Sequence, residues 1–137
     1  MMTNRKIWTS GPLAIAATLL LGLIAPTAEA GDDPSIKGDL RTDIHESMDA
    51  FVAQQTVDGA MRFYDPVDGK LLSLTSYELH SGIVKKGDFY VSCADFVDQE
   101  GRKIDVDFLV LPNDGQLKTT QGIVHSVEGV KREYHLE

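Results

Sequence analysis

The side chains able to do chemistry concentrate in residues 77–110, YELHSGIVKKGDFYVSCADFVDQEGRKIDVDFLV, which include the sole cysteine, Cys93. Within this stretch His80, Cys93 and Asp107 run out of phase with the apolar residues, as do Glu78, Asp95 and Asp105. Folded as three antiparallel strands, the six form two adjacent rows across a sheet, His80–Cys93–Asp107 and Glu78–Asp95–Asp105. Directly opposed residues have Cβ atoms about 4.5–5.5 Å apart, near enough to share one ion or one hydrogen-bond network. An imidazole, a thiolate and a carboxylate suit a borderline-soft ion such as Zn²⁺ or a copper ion, with a fourth position left for water or ligand.

The same residues support two other chemistries. His80 with Asp95 or Asp107 could serve as an acid–base pair, and His80 could activate Cys93 as a thiolate. No CxxC or HxxxH spacing, nucleophile motif or glycine-rich phosphate loop accompanies them. The remaining reading is a solvated acidic face used for binding, since antiparallel sheets commonly keep one face wet. Opposed like charges on Glu78, Asp95 and Asp105 would then need relief from a nearby lysine, a raised carboxylate pKa or a bound cation. Gln121 falls beside Asp107 in one register of the last strand and joins the binding candidates, although Asn113-Asp114-Gly115 permits more than one loop length. His125 shares the parity of Gln121 and reads as a surface histidine within reach of Lys103. His45 reads as solvated on a helix.

Two turns must hold these rows together. A two-residue Lys86-Gly87 turn sets Val84 opposite Phe89, Ile83 opposite Tyr90, Ser81 opposite Ser92, Leu79 opposite Ala94 and Tyr77 opposite Phe96. A second turn, Asp98-Gln99-Glu100-Gly101, sets Asp98 opposite Arg102. It thereby puts Phe96 beside Ile104, Ala94 beside Val106, Ser92 beside Phe108 and Tyr90 beside Val110. Both registers rest on turn residues alone. Both gather Tyr77, Leu79, Ile83, Tyr90, Ala94, Phe96, Ile104, Val106, Phe108 and Val110 on one face, the agreement a true register gives.

Upstream, Leu40, Ile44, Met48, Phe51 and Val52 make one apolar stripe of a helix over 39–55, with Asp39 as N-cap and Asp58-Gly59 as stop. Strands come next at 60–64, 71–84 (bent at Gly82), 88–97, 103–111 and 116–127, with 130–137 as an edge segment or tail. The expected fold is α+β, one N-terminal helix packed on a four- to five-stranded antiparallel meander sheet. This element order over 39–127 resembles the cystatin-like folds, which include the nuclear-transport-factor-like cone-shaped domains. The chain lacks the Gln-Val-Val-Ala-Gly type of loop of cystatin inhibitors, and has one helix where the cone-shaped enzymes have three. The resemblance implies a fold and carries over no function.

The first 30 residues read as a secretory signal peptide: Arg5 and Lys6, an apolar core over 12–24, and Ala28-Glu29-Ala30 before the cleavage point. That core, 13 residues long, is shorter than a membrane anchor needs. A polar lead-in at 31–38, expected to be flexible, precedes a single domain at 39–137. Residues 31–137 number 107 and carry 11 basic against 20 acidic residues, a net −9. Such a balance excludes nucleic acid and anionic membrane as partners. With one cysteine there is no internal disulfide to staple the fold. The sequence therefore predicts a small exported bacterial protein, periplasmic or secreted and without catalytic activity. It would bind a protein, a small ligand or a cation on the sheet face away from the helix. The metal-binding and cone-shaped enzyme readings stand as alternatives, and exposed sheet edges add a possible homodimer.

Overall fold

The computed structural model describes residues 31–133. The signal-peptide reading of 1–30 lies outside the described residues. One helix, α1 (Asp39–Gln55), precedes seven strands: β1 (Thr56–Val57), β2 (Ala60–Asp65), β3 (Lys70–Lys86), β4 (Phe89–Val97), β5 (Lys103–Asn113), β6 (Gln116–Val127) and β7 (Val130–Lys131). All seven join one antiparallel sheet in chain order. The expectation of a helix on four or five strands is therefore corrected: the described residues are 57% strand and 17% helix. Two hairpin turns account for part of the difference. Asp58-Gly59 does not stop the helix but turns β1 back onto β2, with Val57 opposite Ala60. Glu128-Gly129 likewise adds β7, with Val127 opposite Val130. Both residues of each turn have positive φ, the backbone that suits two-residue hairpins to the twist of their strands.

The long strand expected at 71–84 is β3. It is 17 residues long, and its first part pairs with β2 while its second part pairs with β4. Between them Ser76 sits at φ 55°, so the bend comes there and not only at Gly82. The bend lets the sheet curl until β2 meets β6. A Cβ on Gly122 of β6 would lie 2.8 Å from Phe63 of β2, and only glycine permits that approach. Helix α1 packs chiefly on β6, with smaller contacts to β2 and β5. Ile44 and Met48 of α1 are buried with Met61, Leu72, Ile83, Phe96, Val106 and Phe108. Phe51 meets Phe108 edge-on at 5.9 Å, and Tyr77 stacks on Phe96 at 5.1 Å. At the far end Arg132 reaches Asp65 at 2.7 Å and Asp68 at 3.0 Å, tying the chain after β7 to the end of β2.

The lead-in at 31–38 is docked against β3 and α1. The Asp33 N–H donates to Ile83 O at 2.8 Å, and Ile36 is buried. Arg41 binds Asp32 at 2.7 Å and also the carbonyl of Ser81. The helix N-cap is Gly38, with a positive φ of 59°, not Asp39, and no side chain hydrogen-bonds to cap the helix. No helix among the described residues is long and apolar enough to cross a membrane.

Candidate functional site

The strands place the two rows much as the turns require. Across β4 and β5, Cys93 faces Asp107, Asp95 faces Asp105, Ala94 faces Val106 and Phe96 faces Ile104. The Asp98 N–H donates to Arg102 O at 3.0 Å to close that turn. Across β3 and β4, Glu78 faces Asp95 and Leu79 faces Ala94, in the expected register. Nearer the turn the register differs by two. Lys86 faces Phe89 and Ile83 faces Ser92, because the turning residues are Gly87-Asp88. An irregularity between Leu79 and Ile83 absorbs the two extra residues, Ser81 and Gly82. The Ser92 hydroxyl donates to Gly82 O at 2.8 Å there. A shift of two leaves every side chain on its original face.

His80 sits at the edge of this irregularity and joins the two rows. Its Nδ1 lies 2.9 Å from Cys93 Sγ, and its Nε2 lies 3.1 Å from Asp95 Oδ2. Lys103 Nζ approaches the same Asp95 oxygen at 2.7 Å. Donor atoms of His80, Cys93 and Asp105 all fall within 4.8 Å of one another. His80 and Asp105 form the floor of an open cleft of about 870 Å³, which Glu78, Asp95, Lys103 and His125 also line, while Cys93 is buried and does not line it. The docked lead-in supplies one wall through Gly31 and Asp32, and the β6–β7 hairpin another through Gly129 and Lys131. Two carboxylate oxygens at this floor, Asp95 Oδ1 and Asp105 Oδ1, are buried without a hydrogen-bond partner.

The opposed carboxylates are relieved in two of the three ways the sequence required. Burial by itself would raise Asp95, but hydrogen bonds from Lys103 and His80 outweigh it and hold its pKa below the usual value. Asp105 lies nearer the protein interior. Burial pushes it up to about 6, against the pull of His80 and His125 and with the help of Asp107 and Asp95. One member of the row is thus a firm carboxylate and its neighbour a readily protonated acid.

Two sequence candidates are placed differently. Asp107 faces Cys93 across the strands as expected, but the carboxylate grouped within 4.8 Å of the His80 and Cys93 donor atoms is that of Asp105. The Asp107 carboxylate is buried, and both its oxygens lie 3.0 Å from His125 Nδ1. The cause is an irregularity between β5 and β6. Asp105 faces Ser126 while Val106 faces Val124, so His125 is the extra residue and turns inward. Gln121 does not sit beside Asp107. The two-residue Asp114-Gly115 turn and a second irregularity at Leu109/Val110 put it opposite Leu109, exposed and away from the cleft. His125, expected at the surface, is the functional-face residue that sequence reasoning misplaced. Its position between Val124 and Val127 was the available signal. His45 is half-buried on α1 and its pKa is lowered, chiefly by burial and then by Arg41.

Comparison with protein-family models, curated proteins and solved structures finds nothing that matches this chain. No relative therefore lends the cleft a function.

Proposed function

We propose that this is a small exported bacterial binding protein, without catalytic activity of its own, which captures a small cationic ligand in the cleft over His80, Asp95 and Asp105. One observation carries the reading: two buried carboxylate oxygens, Asp95 Oδ1 and Asp105 Oδ1, face no hydrogen-bond donor in the protein. A buried acceptor left unmet costs about 1–3 kcal/mol, more when charged, so a cation or donor supplied by a ligand recovers that energy. The chain's acidic balance draws cations toward the cleft as well. The test is thermal unfolding of the purified protein with a panel of cations: divalent metals, guanidinium and a linear diamine. At least one should raise the melting temperature, and the ligand-dependent part of that rise should vanish in Asp105→Asn and shrink in Asp95→Asn. A panel with no effect, or an undiminished effect in both variants, would refute the reading.

A thiol-based activity has one observation in its favour, the line Cys93 Sγ–His80 Nδ1 and His80 Nε2–Asp95, which orders a nucleophile, a base and an orienting acid. Cys93 is 1% exposed, which leaves an acyl substrate no path to the sulfur.

A further inference from the structure

We propose that the cation is a single divalent transition-metal ion, Zn²⁺ by its donor chemistry, held by His80 Nδ1, Cys93 Sγ and an Asp105 carboxylate oxygen, with its remaining coordination position open to the cleft. This inference rests on the reading of the cleft as a cation site and names the ion.

The donor set comes first. One imidazole, one thiolate and one carboxylate are the three ligand types of protein-bound zinc, and three protein ligands with a vacant fourth place describe an open site. Calcium and magnesium take six or more oxygens, and no thiolate belongs in their shells. Copper(I) favours sets built from thiolate and thioether sulfur, and no methionine lines the cleft.

Geometry comes second. The three donor atoms lie within 4.8 Å of one another, with Nδ1 and Sγ 2.9 Å apart. Tetrahedral bonds of about 2.0–2.3 Å separate donors by roughly 3.3–3.7 Å, so an ion enters with displacements on the order of 1 Å. The three residues stand on β3, β4 and β5, neighbouring strands of one sheet, and no loop need rearrange.

The third argument concerns the proton. Asp95 Oδ2, held by Lys103 Nζ at 2.7 Å, lies 3.1 Å from His80 Nε2 and accepts its N–H. That assignment leaves the Nδ1 lone pair facing Cys93 Sγ, which is how an outer carboxylate orients a metal-binding histidine. Without an ion, the thiol S–H donates to Nδ1. On binding, the S–H bond breaks, the proton leaves to solvent, and the sulfur and Nδ1 lone pairs both go to the ion. His125 stands behind this shell with its Nδ1 on Asp107.

The test uses purified protein expressed as the full chain, stripped with chelator, with Cys93 kept reduced. Calorimetry with Zn²⁺ should give one site per chain. Repeated in buffers of different ionisation enthalpy, it should report at least one proton released. Asp95→Asn should weaken binding about 10–100-fold as an orienting residue does. His80→Ala and Cys93→Ser should weaken it further. Co²⁺ should give a near-ultraviolet sulfur-to-metal charge-transfer band that Asp95→Asn retains and Cys93→Ser loses. The band on wild-type protein decides the matter even if a variant fails to fold. Folded wild-type protein that shows no such band, or Zn²⁺ affinity unchanged in His80→Ala, overturns the proposal. If Zn²⁺ fails while guanidinium or the diamine stabilises wild type and not Asp105→Asn, the metal assignment falls and the cation cleft stands. If nothing binds, both fall.

Discussion

Replacing Asp105 with asparagine should stabilise the apo protein at neutral pH while removing its cation binding. Asp105 is raised from 3.8 to about 6, chiefly because it is buried. The folded protein therefore keeps the proton of Asp105 at pH values where the unfolded chain has released it. This group's contribution is accordingly most favourable below pH 3.8 and is lost as pH rises through about 6. A rise of about two pH units corresponds to about 3 kcal/mol, and screening by water on the cleft side reduces this to about 1–2 kcal/mol. An asparagine at this position carries no charge at any pH, and its amide can donate to the acids around it. At pH 7.5, with chelator present, Asp105→Asn should melt about 5–10 °C above wild type. At pH 3.5, where Asp105 is protonated in both folded and unfolded states, the two proteins should melt together. Circular dichroism at both pH values measures the difference. Equal differences at the two pH values, or a lower melting temperature for the variant at pH 7.5, would refute the reasoning. Added Zn²⁺ should close the gap by stabilising wild type alone.

Two further predictions concern the frame that holds the cleft. Gly122→Ala places a methyl 2.8 Å from Phe63 and 3.2 Å from Val106 where β2 meets β6. It should cost about 1–3 kcal/mol by denaturant titration, and a neutral result would mean that the sheet curls less tightly than described. Asp98 accepts from the N–H groups of Glu100 and Arg102 and from the Arg102 guanidinium; these bonds overcome its burial and hold its pKa below 3.8. Asp98→Ala should therefore cost about 1–3 kcal/mol at pH 7. The deficit should shrink as pH falls below about 4, since a depressed carboxylate loses its contribution on protonation. A deficit independent of pH would show that the turn, not the charge, matters.

The sequence was most legible where a turn fixed the register and one face was apolar. Asp98 and Arg102 sufficed to pair β4 with β5 from Tyr90 to Val97, because a slip of one would have thrown Phe96, Ile104, Val106 and Phe108 into water. It was least legible where the chain departs from simple alternation. The two residues absorbed at Ser81-Gly82 leave no trace in the hydrophobic pattern, because an even insertion preserves which face each side chain takes. The irregularity at His125 has the opposite effect. A single extra residue breaks the alternation of its strand, and it carried His125 from an expected surface position into contact with Asp107. The seven-strand count was missed because β1 and β7 have two residues each, too few to show a period.

An antiparallel sheet with one face in the core ordinarily leaves its other face to water. Here the second face buries Cys93, Asp107 and His125, and sets Asp95 and Asp105 half under cover. Apolar side chains of similar volume would fill that space at lower cost, since a buried polar pair is at best a weak source of stability. The lead-in, meanwhile, is fastened beside β3 by its own Ile36 and Asp33 and by Arg41 of α1, where it walls the cleft without covering it. A stabilising device would have closed over the acids, or paired Asp95 Oδ1 and Asp105 Oδ1 with the lysines already lining the cleft. Instead Lys103 is fixed on the other oxygen of Asp95, which orients His80 and leaves the inner oxygens unmet. Cost concentrated at the floor of an accessible cleft, with its donors already oriented, is the arrangement expected when a ligand completes the set.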